Sequence, residues 1–496
     1  MNTLILTITF ISMLGQTPDT NISLTDALNR AVRNNRDLKE AGARIALAKG
    51  AQQASRGRFD TNVTAKVQGS YLEAQPVEGS FMSVTSSKSI SFEAGVSKML
   101  KTGGIVMLGM KTSRSQTEQL IDLSAMGNPV QSKMETKSMN TSLTLTVSHP
   151  LLAGMGVEIN TADIKKAALN REVEEINQTA KAETVVRDVI SAWLNLDLAW
   201  KQYDVLMSSL KVAKNQLHDT EALLKAGMGK DSDLLAVKAA VAQREVDIEN
   251  MRSMILKASL SLADLMGIKV DANAPIFRPV GLKKLDAGSL DNIVKTAIAR
   301  SKTLAALARQ LESNRVDEKV AKNMLLPRLD VSVSAGPTMD SVKYTETLKN
   351  LYRFDAFMVG GGLSFSTSVE RNQGKGYLET VRSTKRILNI QKEKLMNLIA
   401  MSAVIARNDY ESAQKRITAA RISVKASELH LENEKKLFKL GRGTNHSVLL
   451  RLTELDSAKL GLEKALYDLE VAKNQIFTLS GTILGRYGIS VDSLNR

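Results

Sequence analysis

The sequence predicts an α+β protein in which two copies of a long antiparallel helical hairpin alternate with regions of β-strand. Three observations predict this fold class. Residues 151–274 and the chain after 338 contain no proline, so helices can continue there without a break. Apolar residues in both segments recur every seven positions, a spacing typical of coiled coils. The two segments also align with each other without a gap, at one constant offset in residue number, which indicates an internal duplication.

Composition argues against several kinds of site. The 496-residue chain has no cysteine, four histidines and a formal net charge of +15, so disulfides, thiolate metal sites and cysteine nucleophiles are excluded. The histidines lack metal-ligand spacing, and no catalytic arrangement can be argued from the sequence. The basic residues are dispersed along helical faces without a dense run, which argues against nucleic-acid binding. We predict a protein that is not an enzyme, with no catalytic residue, cofactor, metal or nucleic-acid partner.

The chain begins with a short, mostly apolar segment over 4–14, followed by Gly15. Its size is typical of the core of a secretory signal peptide and is too small for a membrane-spanning helix. The predicted organisation is a signal peptide over 1–15, a first repeat over 16–267, a linker over 268–288, a second repeat over 289–485 and a tail over 486–496.

Each repeat is predicted to contain one helical hairpin, over about 160–267 and about 376–480. The hairpins turn near 227 and 441, where glycine ends one helix before the next begins. The turn glycines are Gly227, Gly229, Gly441 and Gly443. The candidate N-caps of the returning helices are Asp231 or Ser232 in the first repeat and Thr444 or Asn445 in the second.

Between the helices, apolar residues alternate with small polar ones, a period of two that predicts strands with two different faces. Four candidate strands lie within 61–148, of which the segment from Ile105 to Met110 alternates poorly, and two lie within 328–367. A soluble sandwich would show the same pattern. Runs near nine to eleven residues, a polar face of small residues and clustered aromatics favour the wall of a membrane barrel.

Six candidate strands are fewer than the eight that the smallest closed membrane barrels contain. A barrel would therefore need several copies of the chain. The alternative is a coiled-coil scaffold outside the membrane, which predicts no membrane association and no ordered strand region.

Three motifs and their order carry a resemblance to a known family. The segments 22–28 (ISLTDAL), 146–156 (TVSHPLLAGMG) and 321–331 (AKNMLLPRLDV) resemble an opening helix, a strand-to-helix passage and a helix-to-strand passage. The glycine turn, the heptads and a terminal glycine follow in the same order in both copies. In this combination the chain resembles, over nearly its whole length after residue 15, the TolC-type outer-membrane efflux and secretion ducts.

The resemblance implies a homotrimer in the cell outer membrane, in contact with its lipid. Its strands would share one outer-membrane β-barrel, and its helices would form a tapered α-barrel that extends through the periplasm. Such a channel-tunnel is the passive exit duct of a tripartite efflux pump or a type I secretion system. Its partners would be a periplasmic adaptor (membrane fusion) protein and an inner-membrane transporter.

The resemblance also implies roles for residues at the two helical tips. The tip residues expected to bind a partner are Gly227, Met228, Gly229, Lys230, Gly441, Arg442, Gly443 and Thr444. Asp233 and Ser447 are candidates for a constriction at the entrance. Family members often carry aspartate at both positions, so Ser447 departs from the pattern and a cation-binding acidic ring is not supported.

The first repeat has a longer β region than the second. It includes residues 98–104 and indicates one hairpin more than the family minimum. The sequence leaves open whether this hairpin widens the barrel or folds outside it.

Overall fold

The computed structural model describes residues 20–122, 131–270, 275–281, 285–286, 288, 290–342 and 356–489. The predicted signal peptide and all but the first residues of the predicted tail lie outside this part of the chain. The chain divides into two compact units. We call them the helical unit, which comprises 1–46, 172–308 and 390–496, and the sheet unit, which comprises 47–171 and 309–389.

Two long helical hairpins dominate the secondary structure. The first consists of α4 (Ala162–Lys225) and α5 (Asp231–Leu265), and the second of α8 (Asn372–Lys439) and α9 (Asn445–Leu479). Both returning helices have 35 residues, which agrees with the predicted duplication. At 1.5 Å per residue, the 64 residues of α4 extend about 96 Å. None of the helices in the described part of the chain carries the sustained apolar stretch that crossing a bilayer would require.

Shorter helices precede each hairpin, and one follows the second hairpin. The remaining α-helices of the described residues are α1 (Leu24–Asn34), α2 (Arg36–Arg56), α3 (Val157–Asn160), α6 (Ile293–Arg300), α7 (Lys302–Asn323) and α10 (Ile483–Arg486). Ser23 caps the start of helix α1, because its hydroxyl accepts a hydrogen bond from the Asp26 amide at 3.1 Å. This is the usual way in which a serine satisfies a free amide at a helix start.

The main core of the helical unit surrounds the middle of α4. The fully buried Trp193 donates from its indole nitrogen to the carbonyl oxygen of Ile22 at 3.2 Å, and Trp200 donates to that of Phe277 at 2.9 Å. These two carbonyls belong to β1 (Thr20–Ser23) and β6 (Phe277–Val280), which pair in parallel. The region that we predicted as a linker therefore contains a strand, because a partner far away in sequence and a buried Phe277 stabilise it.

Within its described residues, the sheet unit contains one antiparallel sheet of six strands. They are β2 (Thr61–Glu73), β3 (Met82–Met99), β4 (Ile105–Asp122), β5 (Gln131–Pro150), β7 (Arg328–Ser341) and β8 (Phe357–Ser366). The spatial order is β2-β3-β4-β5-β7-β8. The expectation of four strands from the first repeat and two from the second is confirmed.

The strand lengths differ from the expected nine to eleven residues. Strands β3 and β4 have 18 residues and β5 has 20, whereas β8 has 10. The poorly alternating segment at Ile105 is only the start of β4. The strands continue because rows of serine, threonine and charged residues extend the pairing beyond the apolar part, and the sequence prediction followed only the apolar alternation.

Candidate functional site at the helical tips and the sheet faces

The two tips have the same backbone geometry. Gly227 and Gly441 have positive φ angles of 74° and 73°, a conformation that glycine adopts without the steric cost of a side chain. At the first tip, the amides of Gly227 and Met228 donate to the carbonyls of Leu224 at 3.0 Å and Leu223 at 2.9 Å. This pair of bonds is the Schellman motif, which satisfies the free carbonyls at a helix end.

The second tip repeats the motif. The amides of Gly441 and Arg442 donate to the carbonyls of Phe438 at 3.0 Å and Leu437 at 2.9 Å. Four of the predicted tip residues therefore form matched turns, and the sequence located both turns correctly.

The second glycine of each turn is required for a different reason. A Cβ atom on Gly229 would lie 3.0 Å from the Leu224 backbone nitrogen, and one on Gly443 would lie 2.9 Å from the Phe438 nitrogen. Since these neighbours are backbone atoms, a side chain could not be accommodated without moving the helix end. In each Gly-x-Gly turn, the first glycine is therefore required for its positive φ angle. The second is required because a Cβ atom there would come too close to the helix backbone.

The helix starts after the turns differ between the two repeats. Thr444 caps α9, because its hydroxyl accepts from the Ser447 amide at 3.1 Å, whereas Lys230 occupies the equivalent position before α5 without a side-chain cap. Of the two predicted candidates, Thr444 is the cap and Asn445 is the first residue of α9. The prediction of Asp231 or Ser232 is wrong, because both residues already lie inside α5.

The two candidate constriction residues have different surroundings. Ser447 is half-buried, and its hydroxyl lies 2.9 Å from that of Thr444, so it takes part in the cap. Asp233 is half-buried in the first turn of α5, where a carboxylate interacts favourably with the positive end of the helix dipole. Their part in an entrance constriction stays a prediction.

A buried polar cluster next to the tips joins the two hairpins. The side-chain oxygen of Asn445 accepts from the Gln216 amide at 2.6 Å and from the Thr220 hydroxyl at 3.0 Å. All three side chains are buried. Gln216 and Thr220 belong to the last turns of α4, near the tip of the first hairpin. Asn445 is the first residue of α9, at the tip of the second hairpin, so the cluster holds the two hairpins together close to their tips.

A second polar cluster lies further along the same helices. Arg244 of α5 donates to the Ser209 hydroxyl of α4 at 2.8 Å and lies 3.3 Å from the carboxylate of Asp456 of α9. Ser209 also donates to Asp456. Burial raises the pKa of Asp456, while the Ser209 hydrogen bond and the Arg244 charge act in the opposite direction. Sequence reasoning missed this cluster, since a charged residue in a heptad helix normally indicates a solvated face.

One face of the sheet carries an apolar band that crosses all six strands. Because opposed residues of an antiparallel pair point to the same face, the register defines rows that cross the sheet. One such row consists of Val63, Val96, Leu108, Leu145, Ala335 and Val359. Val63 is 77% exposed and Val359 69% exposed, so a single chain leaves this apolar face open.

The opposite face is polar. One of its rows consists of Ser70, Ser89, Ser115 and Ser138, with hydroxyl oxygens 2.7 Å apart in the first and last pairs. Another contains Glu93, whose carboxylate lies 2.9 Å from the Lys111 ammonium. A sheet with one apolar and one polar face fits a wall between lipid and water.

The described residues contain no group of three or more side chains that could hold a metal ion. The His149 ring nitrogen Nδ1 lies 2.7 Å from the carbonyl oxygen of Pro150, a contact that holds the ring at the end of β5.

Comparison of the sequence with protein-family models gives no match, and comparison with curated proteins gives none. Solved structures do match. The outer-membrane channel OprN is 17% identical, with a TM-score of 0.68 over 92% of this chain and 90% of that chain. The outer membrane protein VceC from Vibrio cholerae is 14% identical, with a TM-score of 0.66 over 92% of this chain and 96% of that chain.

The open state of the MtrE outer membrane channel from Neisseria gonorrhoeae also matches. It is 15% identical, with a TM-score of 0.64 over 93% of this chain and 89% of that chain. The resemblance seen in the sequence is thus confirmed by structures that match nearly end to end, and we conclude that this chain has the fold of the TolC-type outer-membrane channels.

Proposed function

We propose that three copies of this chain assemble into an outer-membrane channel-tunnel, the passive exit duct of a tripartite efflux pump or a type I secretion system. The observation that carries the proposal is the two-faced sheet, whose apolar face stays exposed in one chain. The helices would extend through the periplasm. Energy for export would come from the inner-membrane transporter.

The sheet supports assembly because its two edges are open. Its outer strands are β2 and β8, and open edges in lipid would leave backbone amides and carbonyls without partners. Closure on neighbouring copies satisfies these groups. Six strands from one copy are too few for closure of a membrane barrel on their own.

The second hairpin supports lateral contacts between copies. Four apolar residues of α8, namely Ile390, Leu398, Met401 and Ile405, are between 51% and 58% exposed. Their spacings of eight, three and four residues place them on one face of a helix. A continuous apolar face of this kind requires a packing partner, and the same face of a long hairpin can pack against a neighbouring copy.

The tips support docking of a periplasmic adaptor. Met228 is 73% exposed and Leu440, next to the second turn, is 71% exposed. Each is an apolar side chain on a turn whose backbone is fixed by two hydrogen bonds. Rigid turns with exposed apolar residues are suited to recognition because little conformational entropy is lost on binding.

The scaffold alternative is weakened by the structure. It predicts no ordered strand region, whereas the chain has a six-stranded sheet. Nucleic-acid binding gains no support either, because many lysines and arginines form ion pairs along the helices, as Arg407 does with Glu411.

Membrane fractionation of cells that express the chain tests the duct. We expect the protein in the outer-membrane fraction, extracted by detergent as a trimer that dissociates only on heating. A soluble monomer in the periplasmic fraction would refute the proposal.

Docking at the tips is tested by Gly227→Pro and Gly441→Pro. Proline fixes φ near −65° and cannot adopt the positive φ of these turns, so both changes should abolish export while the trimer still reaches the outer membrane. Gly79→Pro is the matched control, since Gly79 has a φ of 77° but lies between β2 and β3. Met228→Asp tests the exposed surface without disturbing the turn. Normal export in all three tip variants would contradict docking there.

A further inference from the structure

We propose that the added hairpin of the first repeat, β3 with β4, forms part of the pore wall, so that the trimer has a single barrel of eighteen strands. This inference rests on the proposed trimer. The first repeat supplies four strands to the sheet and the second supplies two. Three copies of six strands give eighteen, whereas two strands from each repeat would give twelve.

The pairing of the strands places the hairpin inside the wall. Strand β2 pairs with β3 from Thr61 to Glu73, which is its whole length, and β4 pairs with β5 from Ile105 to Asp122. A hairpin that folded outside the barrel would leave β2 beside β5. Instead, β3 and β4 separate β2 from β5.

The hairpin also has the two faces that a wall requires. Val96 of β3 and Leu108 of β4 lie in the apolar row that crosses all six strands, and they are 41% and 45% exposed. Their chain neighbours Ser97 and Gly109 lie at positions of the polar face, where Gly109 pairs with Gly95 and Thr144. A hairpin inside the lumen or in water would have no reason to continue the apolar row.

The outer strands allow the sheet to continue into the next copy. With six antiparallel strands, β2 and β8 run in opposite directions, so β8 of one copy can pair antiparallel with β2 of the next. Val63 on β2 and Val359 on β8 end the same apolar row, so the apolar face continues across this junction. The partner that pairs with each open edge of the sheet is therefore another copy of this chain.

The strand number determines the width of the pore wall. With strands about 4.8 Å apart and tilted about 40°, eighteen strands enclose a cylinder about 36 Å in diameter, against about 24 Å for twelve. Even with side chains pointing inward, a helix about 10–12 Å wide would fit. The wall would thus admit polypeptide cargo with secondary structure as well as small molecules.

The absence of cysteine from the sequence permits a direct test. Single cysteines at Val96 and Leu108 of the hairpin, and at Val333 and Val359 of the second repeat, are labelled with bimane in the purified trimer. The trimer is then placed in phosphatidylcholine vesicles that contain spin-labelled lipid. We expect comparable loss of fluorescence at all four positions, and little loss at the polar-face positions Ser97 and Ser113.

The outcomes separate this inference from the proposed function. Quenching at Val333 and Val359 without quenching at Val96 and Leu108 would overturn the eighteen-stranded wall and leave the duct intact. A lack of quenching at all four positions, or the lack of a trimer, would overturn both.

Strand number is tested independently by electron cryomicroscopy of the same trimer. An eighteen-stranded barrel should be about one and a half times as wide as a twelve-stranded one. Cysteines on the apolar side of β2, at Val63, Ala65 and Val67, are also paired one by one with cysteines at Val359, Gly361 and Leu363 on β8. Disulfides should join neighbouring copies for the pairs of one antiparallel register if β2 and β8 meet. A barrel of twelve-strand width would refute the inference.

Discussion

Lys230 and Thr444 occupy equivalent positions at the two tips, and only Thr444 accepts a hydrogen bond from the helix that it precedes. We expect Lys230→Thr to stabilise the protein by about 0.5–1 kcal/mol, since threonine would satisfy a free amide of α5. Thermal unfolding of the purified protein measures the change. Lys230→Ala is the control, because it removes the lysine without adding an oxygen. Equal melting temperatures for the two variants would show that a threonine cap at this position does not stabilise the protein.

Glu318 joins two helices in the sheet unit. Its carboxylate lies 2.9 Å from the ammonium of Lys322 and 3.1 Å from that of Lys385. Hydrogen bonds from the two lysines, followed by their charges, lower the pKa of Glu318 to about 2.

The lowered pKa predicts how this contribution depends on pH. A carboxyl group whose pKa is lower in the folded state stabilises the protein above its unfolded pKa, and the contribution is lost as the pH falls towards the folded pKa. We expect the melting temperature of the wild-type protein to exceed that of Glu318→Gln at pH 7. The difference should shrink below about pH 4.5 and vanish as the pH falls below about 2. Lys385→Met should show the same trend, and a pH-independent difference would contradict it.

At the scale of secondary-structure elements, Arg244 and Asp456 connect α5 of the first hairpin to α9 of the second. Both side chains are mostly buried, at 9% and 14% exposed. Removal of one partner leaves a buried charge without compensation, which costs about 3–5 kcal/mol, whereas replacement of both by apolar residues is often neutral.

A double-mutant cycle tests this connection. We expect Asp456→Leu alone to lower the unfolding free energy strongly, and Arg244→Met with Asp456→Leu to restore most of it. Chemical unfolding of the purified protein measures all three variants. If the double variant is as unstable as the single one, the cluster contributes through packing around Ser209 rather than through charge.

At the scale of the whole molecule, the apolar band of the sheet is the surface that the proposed outer-membrane assembly would place against lipid. Val96 and Ser97 are adjacent on β3 and point to opposite faces. We expect Val96→Arg to reduce the amount of trimer in the outer membrane, because an arginine in contact with lipid costs about 2–4 kcal/mol near the bilayer midplane. Ser97→Arg should be tolerated, since it would face water. Quantitative immunoblotting of outer-membrane fractions measures both, and equal levels would contradict the assigned faces.

Much of the architecture could be predicted from sequence because its signals are local. The glycines at 227 and 441 are visible as turns since glycine alone adopts their positive φ angles easily, and the heptads mark both hairpins. The six strands were visible through alternation, but their ends were not. In β3 to β5 the pairing continues through polar residues, which a search for apolar alternation does not detect.

Other features depend on partners that are distant in the chain. Arg244 and Asp456, like Gln216 and Asn445, meet across two different hairpins, and nothing near either residue in sequence indicates its partner. Strand β6 formed in a predicted linker for the same reason, since β1 supplies its hydrogen bonds.

By itself, the sequence determined that this protein consists of duplicated helical hairpins with two-faced strands between them, because helix and strand periods are properties of neighbouring residues. Only the tertiary structure decided that the added hairpin lies within the sheet between β2 and β5. The alternation of β3 and β4 is the same whichever strands they pair with, so the choice of neighbours depends on which long-range pairing satisfies the most backbone groups and makes the apolar face continuous.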